Sequence, residues 1–458
     1  MTLFDKKESL EKEYPYGLRT VMEIFDIGPA VAFTVLTIVG TILIAGMVIF
    51  IRSAPPSVLT IASGPEGTSF HKTALKYAKI LERNGVKVKI LTSTGSVDNL
   101  NKLMDPKSRV HLAFVQDGLT NEDEKFDGLV SLGAVSYQPI MVFYRGKPVE
   151  RLAELQGKTI AIGPEGSGTR KFALKLLELN EITPENPGGT TLSDMDADDA
   201  ADALLEKKID AAFVMSENAP IEDIRKLLRS DDIHLLNFKQ AAAYSRKVDY
   251  LNKLELPEGA IDFGRDIPNK DISLVGPVVE LLAKKNLHPA LSDLILDAAM
   301  EVHGHPGMYQ KRGEFPMPVA HAVKMSDDAD RFYKSGKSFL YRYLPFWLAS
   351  LVSRILVVFL PIAVIVIPTV RSIPAFFQWR MQMRIRRRYR ELLLIEDAYK
   401  HETDPVRLAA LRRSFDRIDH EVDKMKVRAS FGSEFYSLRG HVDYVRGLMS
   451  HKFPEVTQ

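Results

Sequence analysis

Ile61-Ala62-Ser63-Gly64-Pro65-Glu66-Gly67-Thr68-Ser69 and, later in the chain, Ile160-Ala161-Ile162-Gly163-Pro164-Glu165-Gly166-Ser167-Gly168-Thr169 decide how this protein folds. Each begins with a short apolar run that reads as a strand. Gly-Pro-Glu-Gly then marks a turn, and small hydroxyl residues open a helix. Glycines such as Gly67 and Gly168 let the backbone turn tightly and bring its N–H groups close to a ligand. The helix that follows adds unpaired N–H donors and a partial positive charge at its start. Thr68, Ser69, Ser167 and Thr169 supply hydroxyls beside them. Such a junction holds an anion without any Lys or Arg. The same hydroxyls also serve as ordinary helix caps, each contributing about 1 kcal/mol with no ligand present.

Outward from these turns the chain alternates strands and helices. Strands are predicted at Val58–Ala62, Val86–Leu91, Val110–Val115, Ile140–Tyr144, Thr159–Ile162 and Ala211–Val214. Helices are predicted at Ser69–Arg83, Val97–Met104, Thr169–Leu179, Ala197–Lys207 and Ile221–Arg229. This alternation predicts an α/β protein with parallel-rich sheets covered on both faces. About 285 residues exceed one such core and suit two lobes. We assign residues 57–138 and 241–340 to the first and 139–240 to the second. In such lobes ligands bind at the carboxyl ends of the strands. The two glycine turns are therefore expected to face each other across one cleft and to grip a small anionic solute.

The same logic adds weaker candidates. Thr92-Ser93-Thr94-Gly95-Ser96 leads from a strand into a helix, with Asn99 one turn along. Gln116 and Asp117 end a strand, and Tyr137 lies at the crossover between lobes as a hinge or stacking residue. Each competes with plain turn or capping duty. Glu66 and Glu165 either point away and complement the helix dipole or hold a cationic part of the solute; a carboxylate beside an anion site otherwise repels its ligand. His303-Gly304-His305 reads as a turn, because no further ligand stands at metal spacing. The turns carry neither the Gly-Lys-Ser/Thr of a P-loop nor the Gly-x-Ser-x-Gly of a nucleophile elbow. No catalytic triad spacing, paired acid/base motif, metal set or cofactor motif is present, so neither enzymatic activity nor a cofactor is expected.

Of the 458 residues, 45% are hydrophobic and 26% charged, the composition of an ordinary folded protein. With no Cys, disulfides, thiolate metal sites and a Cys nucleophile are excluded. The net charge of +2 is unevenly spread, and no nucleic-acid partner is expected. Gly28 to Ile51 carries no charge and, at about 24 residues, is long enough to cross a membrane. It exceeds the roughly 7–15-residue apolar core of a cleavable signal peptide, so an uncleaved anchor is predicted at 28–51. A second span is predicted at Leu344–Val370, with Tyr341, Tyr343, Phe346 and Trp347 as an interfacial belt toward which Arg354 can snorkel. Lys6, Lys7, Lys12 and Arg19 precede the first span; Arg371, Arg380, Arg384, Arg386, Arg387, Arg388 and Arg390 follow the second. The positive-inside rule then places both termini in the cytoplasm and the middle segment outside. The tail from Arg371 reads as basic and helical, with helices at Ala375–Tyr399, Asp404–Arg428 and Gly432–His451.

Several segments together resemble a known family. Ile61 to Phe70, Thr94-Gly95-Ser96-Val97-Asp98-Asn99-Leu100, Leu112-Ala113-Phe114-Val115-Gln116 and Leu155 to Thr169 are similar to TAXI-family solute receptors of tripartite ATP-independent periplasmic (TRAP) transporters. The likeness spans most of 57 to about 315. Phe339-Leu340-Tyr341-Arg342-Tyr343-Leu344-Pro345-Phe346-Trp347 and the basic tail resemble a membrane-anchored, NMT1-like subgroup. The resemblance implies a type II periplasmic-binding-protein fold that closes over a small organic acid or amino acid. It implies ligand contact at Thr68, Ser69, Phe70, Thr94, Ser96, Asn99, Gln116, Ser167, Gly168 and Thr169. It further implies a bacterial inner-membrane location, a binding domain facing the periplasm, and TRAP membrane subunits as partners. Glu66 and a twice-anchored chain depart from the usual pattern. A sensor or adaptor that signals to the cytoplasmic tail is the alternative.

Overall fold

The computed structural model describes residues 14–25, 28–119, 126–182, 189–217, 219–319, 322–425, 427 and 431–452. Lys6, Lys7, Lys12 and Arg428 lie outside them. The chain divides into two compact units, residues 53–354 and residues 1–52 with 355–458.

Within 53–354, two five-stranded sheets share one plan. The first orders β2 (Lys87–Leu91), β1 (Val58–Ala62), β3 (Leu112–Gln116), β12 (Val278–Lys284) and β4 (Leu129–Tyr137). The second orders β7 (Thr191–Ser193), β6 (Thr159–Ala161), β8 (Ala211–Val214), β5 (Met141–Arg145) and β9 (Ile233–Leu235). In each sheet four strands share one direction, and a fifth, delivered by a crossing between lobes, inserts antiparallel among them: β12 in the first and β5 in the second. This is a two-lobed α/β domain of type II periplasmic-binding-protein topology. Parallel strands covered on both faces bury every side chain, and β3 and β8 do so along their whole length.

The two crossings run side by side. Gln138 N–H donates to Pro277 O at 2.9 Å, and Ile140 N–H to Val275 O at 2.8 Å. Gly276 sits so close that a Cβ there would lie 2.1 Å from Gln138 O. Residues 241–276 meet the second lobe where Phe238 N–H donates to Ser273 O at 2.8 Å, and the first where Tyr250 packs on Gly118. Leu254, Leu256, Ile272 and Leu274 of the hairpin β10 (Asn252–Leu256) and β11 (Ile272–Gly276) share a core with Phe143, Ile160 and Phe213. β10 and β11 form a two-stranded sheet of their own, and the chain joins the first sheet with β12.

In the other unit, Pro29–Arg52 and a stretch within the helix Phe346–His401 are long and apolar enough to cross a membrane. Gly46 admits Ile362, whose Cδ1 lies 2.7 Å from where a Cβ would stand, and Phe50 meets Phe359 at 5.7 Å. The expected break between a span ending at Val370 and a separate helix from Ala375 is absent. One helix runs through Pro361, Pro368 and Pro374 to His401. Its end packs with helices Pro405–Asp423 and Gly432–Lys452 around Leu392, Ile395, Phe415, Ile418, Leu438 and Val445.

Candidate functional site

Three helices begin at one crevice between the lobes: Ser69–Arg83 and Ser96–Met104 from the first, Gly168–Leu179 from the second. The glycine turns that precede them are in contact. Asp98 N–H donates to Gly166 O at 3.2 Å, and a Cβ on Gly95 would stand 3.2 Å from Ser167 Cα. Lys171 Nζ donates across the lobes to Leu119 O at 2.6 Å. The lobes are closed on each other.

The crevice holds a carboxylate, and it belongs to the chain. Glu217, fully buried, follows β8 at its carboxyl end. Its Oε2 accepts from Ser96 N–H at 3.0 Å; its Oε1 accepts from Thr169 N–H at 2.7 Å and Thr169 Oγ1 at 3.2 Å. Ser96 and Thr169 lie in the first turns of their helices, where N–H groups lack intrahelical partners and the dipole favours negative charge. One N–H from each lobe therefore grips the same group. Burial pushes the Glu217 carboxyl above its ordinary range, while hydrogen bonds from Ser96 and Thr169 pull it back down.

The loop carrying Glu217 is held equally closely. Ser216 O accepts from Ser69 N–H at 2.9 Å and Ser69 Oγ at 2.5 Å. The Gln138 amide, turned so that its oxygen faces the loop, accepts from Ser216 N–H at 3.0 Å, Glu217 N–H at 2.8 Å and Ser216 Oγ at 2.8 Å. Gly64 is required here: a Cβ would lie 2.5 Å from Glu217 O. A Cβ on Gly168 would lie 1.8 Å from Gln116 Oε1 and 2.8 Å from Glu217 Oε1, so both side chains would have to shift to admit it.

The other sequence-derived candidates divide. Gln116 is buried in the crevice, its Oε1 without a hydrogen-bond partner and its N–H donating to Ser96 Oγ at 3.4 Å. Ser167 caps its helix, accepting from Arg170 N–H at 3.2 Å and donating to Pro164 O at 2.8 Å. Thr68 donates within its own turn, to Pro65 O at 2.7 Å, and Gly67 bends that turn with φ +81°. Thr94 N–H donates to Asp98 Oδ2 at 3.1 Å. Asn99 Nδ2 donates to Phe114 O at 2.9 Å, and its Oδ1 is unpartnered. Phe70 is buried in the first lobe's core, stacked on Phe114 at 5.6 Å. Tyr137 packs edge-on against Phe315 at 4.9 Å and donates to Glu314 Oε1 at 2.9 Å; burial, then that carboxylate, pushes its phenol up to about 12. Glu66 and Glu165 are exposed. His303 is half-buried at a helix end against Tyr77, and desolvation lowers it to about 4. Among the described residues no cluster of His, Asp and Glu could hold a metal.

Sequence reading missed Glu217 and Ser216. The signal was available, because they follow a second-lobe strand as Asp117 follows a first-lobe one.

Several solved structures are similar at a distance. The substrate-binding protein of an amino acid ABC transporter is 16% identical, with a TM-score of 0.33 over 54% of this chain and 92% of that one. An ancestral arginine-binding protein bound to arginine is 14% identical, with a TM-score of 0.35 over 54% and 92%. The GluR0 ligand-binding core from Nostoc punctiforme, in complex with L-glutamate, is 14% identical, with a TM-score of 0.33 over 53% and 92%. Likenesses that distant say nothing of a ligand. No curated protein matches the chain. Residues 61–292, just over half of the chain, match the model of the NMT1-like family. The matched stretch runs from β1 through both lobes and past β12, so it contains every group that grips Glu217, and this chain belongs to the NMT1-like family, a family of binding-protein fold.

Proposed function

We propose that this protein is a membrane-anchored, extracytoplasmic solute receptor that captures a small organic anion or amino acid between its lobes. One observation carries the reading: the crevice is built to hold a carboxylate, since Ser96 and Thr169 direct two helix-start N–H groups, one from each lobe, at the carboxylate of Glu217. A solute carboxylate presents the same two oxygens to the same donors. Gln116 Oε1, buried beside them without a partner, suits an ammonium and favours an amino acid among the candidates. A solute held in this way favours the closed lobes, since only there does it reach donors from both.

The two apolar helices support anchoring, with the binding domain facing the periplasm of a bacterial inner membrane and both termini in the cytoplasm. Delivery to TRAP-type membrane subunits, the TAXI-like role, is the function such an anchored receptor serves. The test is a thermal-shift screen of the full chain in detergent micelles against millimolar organic acids and amino acids. A ligand at 100 times its dissociation constant adds about 2.7 kcal/mol. No response to any solute would sink the reading.

A second reading, a sensor that relays lobe closure to the tail, is favoured by the separate apolar core that residues 385–449 build, which anchoring does not need. Deleting 380–458 and measuring uptake separates the two. Transport that persists undiminished assigns the tail a duty of its own.

A further inference from the structure

We infer that Glu217 is a tethered stand-in for the solute's carboxylate, a latch that holds the lobes closed and that the incoming solute displaces. This rests on the reading of the crevice as a carboxylate site. Four observations carry it. Glu217 is fully buried, yet its hydrogen-bond partners among the described residues are Ser96 and Thr169, neither of them cationic. Those partners come from opposite lobes, so occupancy by Glu217 and closure of the lobes are one event. Glu217 stands on a loop leaving the carboxyl end of β8, where a ligand of this fold class lies, not on a strand whose pairing would fix it. The glycines around it, Gly64 and Gly168, leave room for its carbonyl and carboxylate oxygens where any side chain would collide.

A buried carboxylate held only by neutral donors is costly to keep charged. Burial pushes its pKa up, against the pull of the hydrogen bonds from Ser96 and Thr169. A carboxylate that merely caps a helix is satisfied by one helix start, whereas Glu217 bridges two that belong to opposite lobes. The latch gives the receptor a closed resting form and makes the solute compete with a group already at high effective concentration.

Chemical rescue tests this directly on the full-length protein in detergent micelles. Glu217→Ala removes one CH2 and the carboxylate, the volume of acetate. The variant is expected to melt below the wild type in sodium chloride. Sodium acetate at equal ionic strength should then restore about 3 °C or more, saturably, while neutral acetamide does not. Wild type, already occupied, should respond to acetate no more than to chloride. Equal responses of Glu217→Ala to acetate and chloride would overturn the latch. Should Glu217→Ala fail to fold, Glu217→Gln keeps the shape but turns an NH2 toward a donor. Hydrogen exchange over Ser96 and Thr169 should then rise about tenfold while β8 is unaffected, and unchanged exchange at both would equally overturn it. Acetate rescue in a protein that binds no solute would sink the receptor reading alone. Solute binding by a Glu217→Ala variant indifferent to acetate would sink the latch alone.

Discussion

Glu280→Gln should make the 53–354 unit more stable at neutral and alkaline pH while changing little in acid. Glu280 lies in β12, the antiparallel strand between β3 and β4, opposite Val115 and Ala134. It is 4% exposed, and Ser131 Oγ donates to its Oε2 at 2.7 Å. Burial, reinforced by the nearby charge of Asp117, pushes its carboxyl from 4.5 up to about 8. A folded-state pKa above the unfolded one means that the folded protein keeps a proton the unfolded chain releases. Stability from this group is therefore fully present below 4.5 and is lost as pH rises through about 8. The full loss is roughly 5 kcal/mol, of which about 3 kcal/mol has accrued by pH 7. Gln retains an oxygen for the Ser131 hydroxyl and does not titrate. Pulse proteolysis of both full-length proteins in urea from pH 5 to 9 measures the difference. The curves should diverge with rising pH, the variant above. Parallel curves, or a variant less stable at pH 8, would refute the burial argument.

Other perturbations probe the crossings and the crevice. Gly276→Ala places a Cβ 2.1 Å from the Gln138 carbonyl and should cost about 3 kcal/mol or more in the same denaturation assay, since backbone atoms there cannot step aside. Gly168→Ala meets Gln116 Oε1 at 1.8 Å and Glu217 Oε1 at 2.8 Å; about 1–3 kcal/mol of stability should be lost, with faster exchange at the Thr169 amide. Thr169→Val and Ser69→Ala each remove a hydroxyl donor, to Glu217 and to Ser216 O. Each should weaken crevice closure by about 1 kcal/mol with the fold intact, and unchanged solute affinity in both would reduce those hydroxyls to turn chemistry.

The apolar strands and the two Gly-Pro-Glu-Gly turns were legible because burial on both faces writes itself as continuous apolar runs and because only glycine fits such turns. β4 was not: Gly133, at φ +103°, stands where a Cβ would meet Met317 O at 2.6 Å, and irregular pairing with β12 breaks its pattern. The hairpin of β10 and β11 was hidden, since no short turn joins Leu256 to Ile272. The helix from Phe346 to His401 runs on through Pro361, Pro368 and Pro374, so the end of the predicted span at Val370 has no counterpart in its backbone. Glu217 was missed for a different reason. Its partners lie 48 and 121 residues away, so its role exists only once the lobes close, whereas Glu66 and Glu165 stand beside the turns in sequence but are exposed.

The most direct measurement is the affinity of one small carboxylate series for full-length wild type and Glu217→Ala, titrated side by side in micelles. If the crevice is a carboxylate site with a resident competitor, at least one member binds both proteins, and binds the variant about tenfold or more tightly, a gain of about 1.4 kcal/mol. Carboxylates that bind neither protein would contradict the account.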